Sequence, residues 1–355
     1  VLGGSGWIRL GQYEEYLKQN HEVFFGRLAL LHGKKDFVVQ TWEDEQLHKD
    51  LDVLIIQRYM NVELANDLAL MKNKIKTVIV QDVDDWYWGL DRRNHAAQAA
   101  SPELNPRNNI VHYKKILNLS DYILISTPYL ADRIAGFVGQ DKIRLQENHS
   151  DLSKFKERRT HTESEKPLIG WFGSTAHRSG DLQILRGVLR QVEDEFGFVH
   201  VGDMSQAGVL WADGKRRPHP AFHEEVRINP ESMTYTLPLM PHDILKKEGF
   251  NYDIGIVPLN LIPFNEAKSW MKGLEYASAG IPFIASPSSE YLRFRDEYGV
   301  GRIASTPKEW LTHLEELRDP DVRQKEADEN WEKIQPLDTP KGAKKLEETL
   351  LSFLS

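Results

Sequence analysis

Residues 265–282 read Asn265-Glu266-Ala267-Lys268-Ser269-Trp270-Met271-Lys272-Gly273-Leu274-Glu275-Tyr276-Ala277-Ser278-Ala279-Gly280-Ile281-Pro282, and they follow an apolar run at 254–258. A helix start and stop are written into the stretch: Asn265 offers an N-cap side chain, and Gly280 with Pro282 ends the helix. The preceding run reads as a strand, so the first helical turn is expected at the carboxyl edge of a parallel sheet, where doubly wound α/β folds bind ligands. Lys268 falls in that turn, where the helix macrodipole disfavours a cation unless an anion is near. Glu275 comes two turns later on nearly the same face, roughly 10 Å along the axis. A diphosphate beside Lys268 and ribose hydroxyls beside Glu275 would satisfy both groups, because a carboxylate accepts from two vicinal hydroxyls. A plain amphipathic helix with both side chains solvated fits the same spacing.

Outward from this stretch, short β-like runs alternate with helical ones. In the first half they fall at 1–4, 22–25, 37–40, 53–57, 77–81, 122–126 and 143–146, and several are continuous valine- and isoleucine-rich runs of the kind found in parallel strands covered on both faces. A polar run at 151–166 precedes Pro167. A second α/β series then opens at 168–172 and continues through 198–201 and 254–258. Leu182, Leu185, Leu189, Val192 and Phe196 recur at three- and four-residue steps, which predicts an amphipathic helix. The expected organisation is an N-terminal Rossmann-like domain over 1–152, a linker at 153–166, a C-terminal Rossmann-like domain over 167–335, and a terminal helix at 336–355 that packs back on the N-terminal domain. The polar excursion at 204–225 is a candidate lid.

At 355 residues the chain suits two domains, and with 40% apolar and 28% charged residues it reads as a folded globular protein. The absence of cysteine excludes disulfides, thiolate metal sites and cysteine nucleophiles, and fits a cytoplasmic setting. No apolar run reaches the roughly 18 residues that span a bilayer, and the opening residues lack the pattern of a signal peptide. The chain opens on valine, consistent with a trimmed start. A net charge of −8 gives no general attraction to nucleic acid, and Lys215, Arg216 and Arg217 read as a solvated basic loop.

The run Lys268…Leu274-Glu275-Tyr276-Ala277…Gly280-Ile281-Pro282 resembles the donor-site signature of retaining GT-B glycosyltransferases of the glycogen synthase and sucrose synthase group. The resemblance implies two Rossmann-like domains facing a central cleft, with a nucleotide-diphosphate-sugar bound mainly by the C-terminal one. It assigns Glu275 to the ribose and Lys268 to the diphosphate. Many members carry a second glutamate eight positions before the one matched by Glu275. Here that position is Ala267, with Glu266 one step away and Asn265 beside it. The run 169–175 resembles the first strand and loop of the donor domain, where Gly173, Ser174 and Thr175 would bring backbone N–H groups to phosphate and Arg178 would add charge. Leu239 and Met240 match the stretch whose backbone meets the nucleotide base. Gly4, Ser5 and Gly6 match the N-domain loop at the cleft.

Gln81-Asp82-Val83-Asp84-Asp85-Trp86-Tyr87-Trp88 follows a strand-like run, and its aspartates and aromatics suit hydroxyl binding and stacking on a sugar. Asp82, Asp84 and Trp86 are the acceptor-site candidates. Asp82 with Asp84 also matches the DxD pattern by which metal-dependent GT-A enzymes hold Mg²⁺ or Mn²⁺. The favoured reading is a GT-B glycosyltransferase that retains anomeric configuration and requires neither metal nor cofactor. Its catalytic candidates are Asp84, Asp85, Lys268 and Arg178, and its donor is a UDP- or GDP-sugar. The acceptor class stays open between carbohydrate, lipid, protein and modified nucleic acid. The alternatives are a GT-B-fold epimerase, a GT-A-type enzyme and a catalytically silent nucleotide-sugar binder.

Overall fold

The computed structural model describes residues 4–25, 51–72, 76–91, 94–155, 157–175, 180–203, 209–210, 216–217, 220–238, 245 and 249–355. Two compact units result: residues 1–88, 97–148 and 339–355 form the first, and residues 89–96 and 149–338 the second. The first holds a four-stranded sheet of β1 (Val53–Gln57), β2 (Val78–Val83), β3 (Tyr122–Ile125) and β4 (Ile143–Leu145), in that spatial order and all parallel. These strands are the valine- and isoleucine-rich runs read from the sequence. Ile79, Val80, Ile123 and Leu124 are buried, as expected when helices cover both faces of a parallel sheet. The helix Thr339–Leu351 belongs to this unit and contributes Ala343 and Leu346 to its core beside Tyr13 and Val80.

Of the expected N-terminal strands at 1–4, 22–25 and 37–40, the structure describes only Gly4 and 22–25. Residues 1–3 and 37–40 lie outside the described residues, while Gly4–Arg9 is a short helix and 22–25 is irregular. Gly4, Ser5 and Gly6 therefore form the first turn of a helix and not an open loop.

The second unit is built on six parallel strands, β5 (Leu168–Phe172), β6 (Gly197–Asp203), β9 (Met233–Pro238), β10 (Ile254–Val257), β11 (Phe283–Ala285) and β12 (Arg302–Ile303). A small antiparallel pair, β7 (Val209–Leu210) and β8 (Arg216–Arg217), lies within the excursion read as a lid. Spatial order in the large sheet is β12-β11-β10-β5-β6-β9. The chain winds outward from β5 in one direction through β6 to β9, and from β10 in the other through β11 to β12. The order reverses between β5 and β10, and a crevice at the carboxyl ends of two such strands is where open α/β sheets bind ligands. Two glycines allow close packing there: a Cβ at Gly170 would meet the Tyr252 ring at 2.2 Å, and one at Gly255 the Tyr276 ring at 2.6 Å.

Residues 157–163, read from their polarity as linker, are fastened to this unit. Arg159 donates to Asp253 at 2.8 Å and to Asn251 at 2.7 Å, and the Nε2 of His161 lies 2.8 Å from the Gly280 carbonyl. The predicted helix over 182–196 is replaced by 3-10 turns at Leu182–Leu185 and Leu189–Gln191. Gly187 at φ +80 breaks it, yet Leu182, Leu185, Leu189, Val192 and Phe196 are all buried against the sheet. The apolar period located the buried positions correctly but not the backbone that delivers them.

Candidate functional site

In the second unit, β5 runs out at Phe172 into the turn Gly173-Ser174-Thr175, and Gly173 takes φ +136, which suits a residue without a Cβ. Thr175 is buried, and its Oγ1 has no hydrogen-bond partner among the described residues. Across the switch point, β10 ends at Val257 and leads to a short helix, Pro263–Glu266, and then to the helix Met271–Ser278.

This break corrects the continuous helix expected from Asn265 onward. Asn265 caps nothing: it lies inside the short helix and donates to Asp181 at 2.7 Å and to the Asn260 carbonyl at 2.8 Å. Asp181 also accepts from the Asn260 N–H at 3.0 Å, so the β10 exit is tied to the segment after β5. Lys268 sits between the two helices, its ammonium 4.1 Å from the Phe264 ring centroid, and is not in the first turn of the helix that carries Glu275. The side chain of Glu266 takes up the start of the helix Ser289–Tyr298, accepting from the Ser289 N–H at 2.9 Å and from its hydroxyl. That bond explains a glutamate here without invoking a sugar. Glu275 is buried on the helix Met271–Ser278, which ends where Gly280 adopts φ +74.

Lys272 is the cation that sequence reasoning passed over. Its Nζ donates to the Phe172 carbonyl, lies 4.5 Å from the centroids of both Trp171 and Phe172, and would be 3.2 Å from a Cβ on Gly173. A positive charge therefore stands against the β5 turn, three residues before the buried Glu275 on the same helix face. Nothing in the spacing around Lys272 distinguishes it from a solvated surface lysine. Arg178, Leu239 and Met240 lie outside the described residues.

In the first unit, the ends of β1 and β2 gather a charged cluster. Asp82 is fully buried and held by Arg9, whose Nη2 donates at 2.6 Å and Nε at 3.0 Å, and by Gln57 Nε2 at 2.8 Å. Arg9 also donates to the Gln146 carbonyl and to Asn148 Oδ1 at 2.8 Å. Asp82 is thus a structural anchor, which corrects its candidacy as an acceptor or metal ligand. Among the described residues no group of three or more His, Asp or Glu side chains is arranged to hold a metal ion.

Asp84 and Asp85 lie beyond this anchor around Arg58, at 3.8 Å and 3.6 Å. Arg58 has φ +60, an uncommon conformation for a side-chain-bearing residue, and is pinned by Tyr87 Oη at 2.7 Å and Ser5 Oγ at 2.8 Å. Burial works against the Arg58 charge, but Asp84, Tyr87 and Asp85 overcome it and raise its pKa above the ordinary value. Burial, and then the neighbouring Asp85 charge, push the Asp84 carboxyl up, partly offset by Arg58 and a hydrogen bond from Ser5. A carboxylate raised in this way is a better proton acceptor than an ordinary one. Trp86 is half-buried, 4.9 Å from Trp88 and 6.1 Å from Phe137 between ring centroids. Gly4 and Gly6 flank Ser5 in the short helix and contribute backbone only.

No protein-family model matches the chain, and no curated protein sequence matches it. Solved structures do. A sucrose-phosphate synthase from Thermosynechococcus elongatus matches with a TM-score of 0.60 at 14% identity, over 85% of this chain and 73% of that one. The Anabaena protein HepE, solved in complex with UDP and glucose, matches at 0.58 and 14% identity, over 85% and 78%. A UDP-forming α,α-trehalose-phosphate synthase from Burkholderia xenovorans matches at 0.56 and 11% identity, over 86% and 74%. Identities this low carry architecture and not substrate. Two units, each on its own parallel sheet, and this set of structural relatives give one conclusion: the chain has the GT-B glycosyltransferase fold.

Proposed function

We propose that this protein is a glycosyltransferase that takes a sugar from a nucleotide-diphosphate-sugar and passes it to an acceptor hydroxyl. The observation that carries the reading is the content of the β5/β10 switch point. A glycine turn at φ +136, the Lys272 ammonium against it and the buried Glu275 three residues along the same helix meet at the edge where this sheet type binds nucleotides. Lys272 and the turn N–H groups receive the diphosphate, Lys268 adds a second charge from the preceding loop, and Glu275 receives the ribose hydroxyls. Positive charge fixed at the leaving diphosphate stabilises the transition state as the glycosidic bond breaks. Arg178 remains an expected contributor.

The acceptor is assigned to the Asp84, Asp85 and Arg58 cluster with Trp86 as an apolar platform, and Asp84 is the group proposed to take the hydroxyl proton. Retention of configuration, a UDP-sugar donor and independence of metal complete the proposal. The UDP-sugar assignment draws support from structural relatives described as UDP-forming or solved with UDP. Metal independence draws support from the commitment of Asp82 to Arg9, which takes apart the acidic pair a GT-A enzyme would need. The test is product analysis with UDP- and GDP-sugars, with and without EDTA, in the presence of mono- and oligosaccharide acceptors. A new glycoside or slow donor hydrolysis that survives EDTA supports the proposal. An epimerised donor without glycoside, or binding with no turnover, contradicts it.

A further inference from the structure

The turn that ends β5 is held from the neighbouring strand by three features. Gly173 N–H donates to the Val201 carbonyl at 2.7 Å. The Gly173 carbonyl lies 2.9 Å from His200 Nε2, and since a carbonyl only accepts, Nε2 carries the hydrogen and the imidazole donates. Gly202, at φ +114, leaves room for that carbonyl, because a Cβ there would come within 2.8 Å of it. A trans peptide holds its C=O and N–H on opposite sides. Pinning the Gly173 carbonyl toward β6 therefore turns the Ser174 N–H away from β6.

His200 is an expensive residue for this position. It is fully buried, with ring centroids 5.1 Å from Trp171 and 5.7 Å from Phe222, and its Nδ1 has no hydrogen-bond partner among the described residues. Phenylalanine would fill the same slot in this aromatic cluster without burying a polar nitrogen. Among the described residues, the one hydrogen bond that imidazole makes here and a phenyl ring could not is the one from Nε2–H to the Gly173 carbonyl.

We infer that His200 is a positioning residue of the donor site, orienting the Gly173–Ser174 peptide so that the turn presents its N–H groups to the diphosphate of a nucleotide. This rests on the donor reading above. The variants are His200→Phe, which keeps shape and removes the donor, and His200→Gln, whose amide nitrogen reaches close to the place of Nε2. UDP binding is measured by calorimetry on the full chain, and amide hydrogen exchange of residues 172–175 is measured without ligand. The expected result is about tenfold weaker UDP binding in His200→Phe, the size of one lost hydrogen bond, with recovery to within about threefold in His200→Gln. Faster exchange of the turn in the Phe variant alone is expected to accompany it. Equal binding and exchange in all three proteins overturns the inference, and so does equal weakening in both variants, which would show packing alone. If the parent does not bind UDP, the donor reading fails, and exchange in the unliganded proteins still decides whether His200 orders the turn. If His200→Phe does not fold, nitrogen-15 shifts of the parent decide: a protonated Nε2 with unprotonated Nδ1 supports the inference, and the opposite tautomer overturns it.

Discussion

Replacing Arg9 with methionine should destabilise the first unit by about 3–5 kcal/mol, the cost of breaking a buried ion pair by removing one partner. Arg9 and Asp82 are 1% and 0% exposed, so solvent cannot take over the lost contacts. Without the guanidinium, Asp82 keeps the 2.8 Å bond from Gln57, and the Gln146 carbonyl and Asn148 Oδ1 each lose a donor. Against a total stability of roughly 5–15 kcal/mol for a domain, this loss is large enough to populate open forms. Hydrogen exchange of peptides spanning 53–57 and 78–83 reads it locally, apart from the unfolding of the second unit. Adding Asp82→Asn to Arg9→Met should recover part of the loss, because the stranded charge is gone, and the double-mutant cycle should show at least about 1 kcal/mol of coupling. A loss below about 1 kcal/mol in Arg9→Met, or additivity in the cycle, would refute the anchor and return Asp82 to the pool of ligands.

Three further outcomes are expected. Burial alone would raise the Asp253 carboxyl, but bonds from His161, the Leu168 N–H and Arg159 hold it well below the usual carboxylate range. Its contribution to stability is therefore complete above its ordinary value of 3.8 and is lost as pH falls through the lower folded value, and Asp253→Asn should flatten the acid limb of a urea-midpoint series between pH 6 and 2.5. Burial pushes the His200 pKa below its ordinary 6.5, so between the two values only the unfolded chain takes the proton. Stability should decline as pH drops below 6.5, and His200→Gln should remove that component of the slope, measured by urea midpoints from pH 7.5 to 5. Gly202→Ala should cost about 1–3 kcal/mol in urea unfolding, from its φ of +114 and from the 2.8 Å approach of the new Cβ to the Gly173 carbonyl, and should weaken UDP binding with it.

The parallel strands and the two-unit build could be read from the sequence because buried parallel strands are continuous apolar runs and cannot be mistaken for polar segments. Leu182 to Phe196 shows the limit: burial has a period, but Gly187 at φ +80 decides that the carrier is a pair of 3-10 turns. At the candidate site, Glu275, Gly173 and Thr175 are singled out in the sequence by their place in a strand-turn or helix signature. Lys272, Arg58 and His200 carry no such signature, because what marks them is contacts between residues far apart in sequence: Lys272 with Phe172, Arg58 with Ser5 and Tyr87, His200 with Gly173. Of these, Arg58 alone carries a local mark, its positive φ, and that is visible only in the fold. Asp82 misled for the complementary reason, since a DxD pattern looks the same whether or not an arginine 73 residues away has already claimed it.

The proposed function stands on a nucleotide-sugar site at the β5/β10 switch point. Calorimetric binding of a panel of UDP- and GDP-sugars to the parent, Lys272→Ala and Glu275→Ala tests it most directly. One donor bound selectively, weakened about 10- to 100-fold by Lys272→Ala as expected for a charge-assisted contact worth ~1.5–3 kcal/mol, and weakened by Glu275→Ala as well, is the predicted result. A folded parent that binds no nucleotide-sugar, or one whose binding both variants leave unchanged, would contradict it.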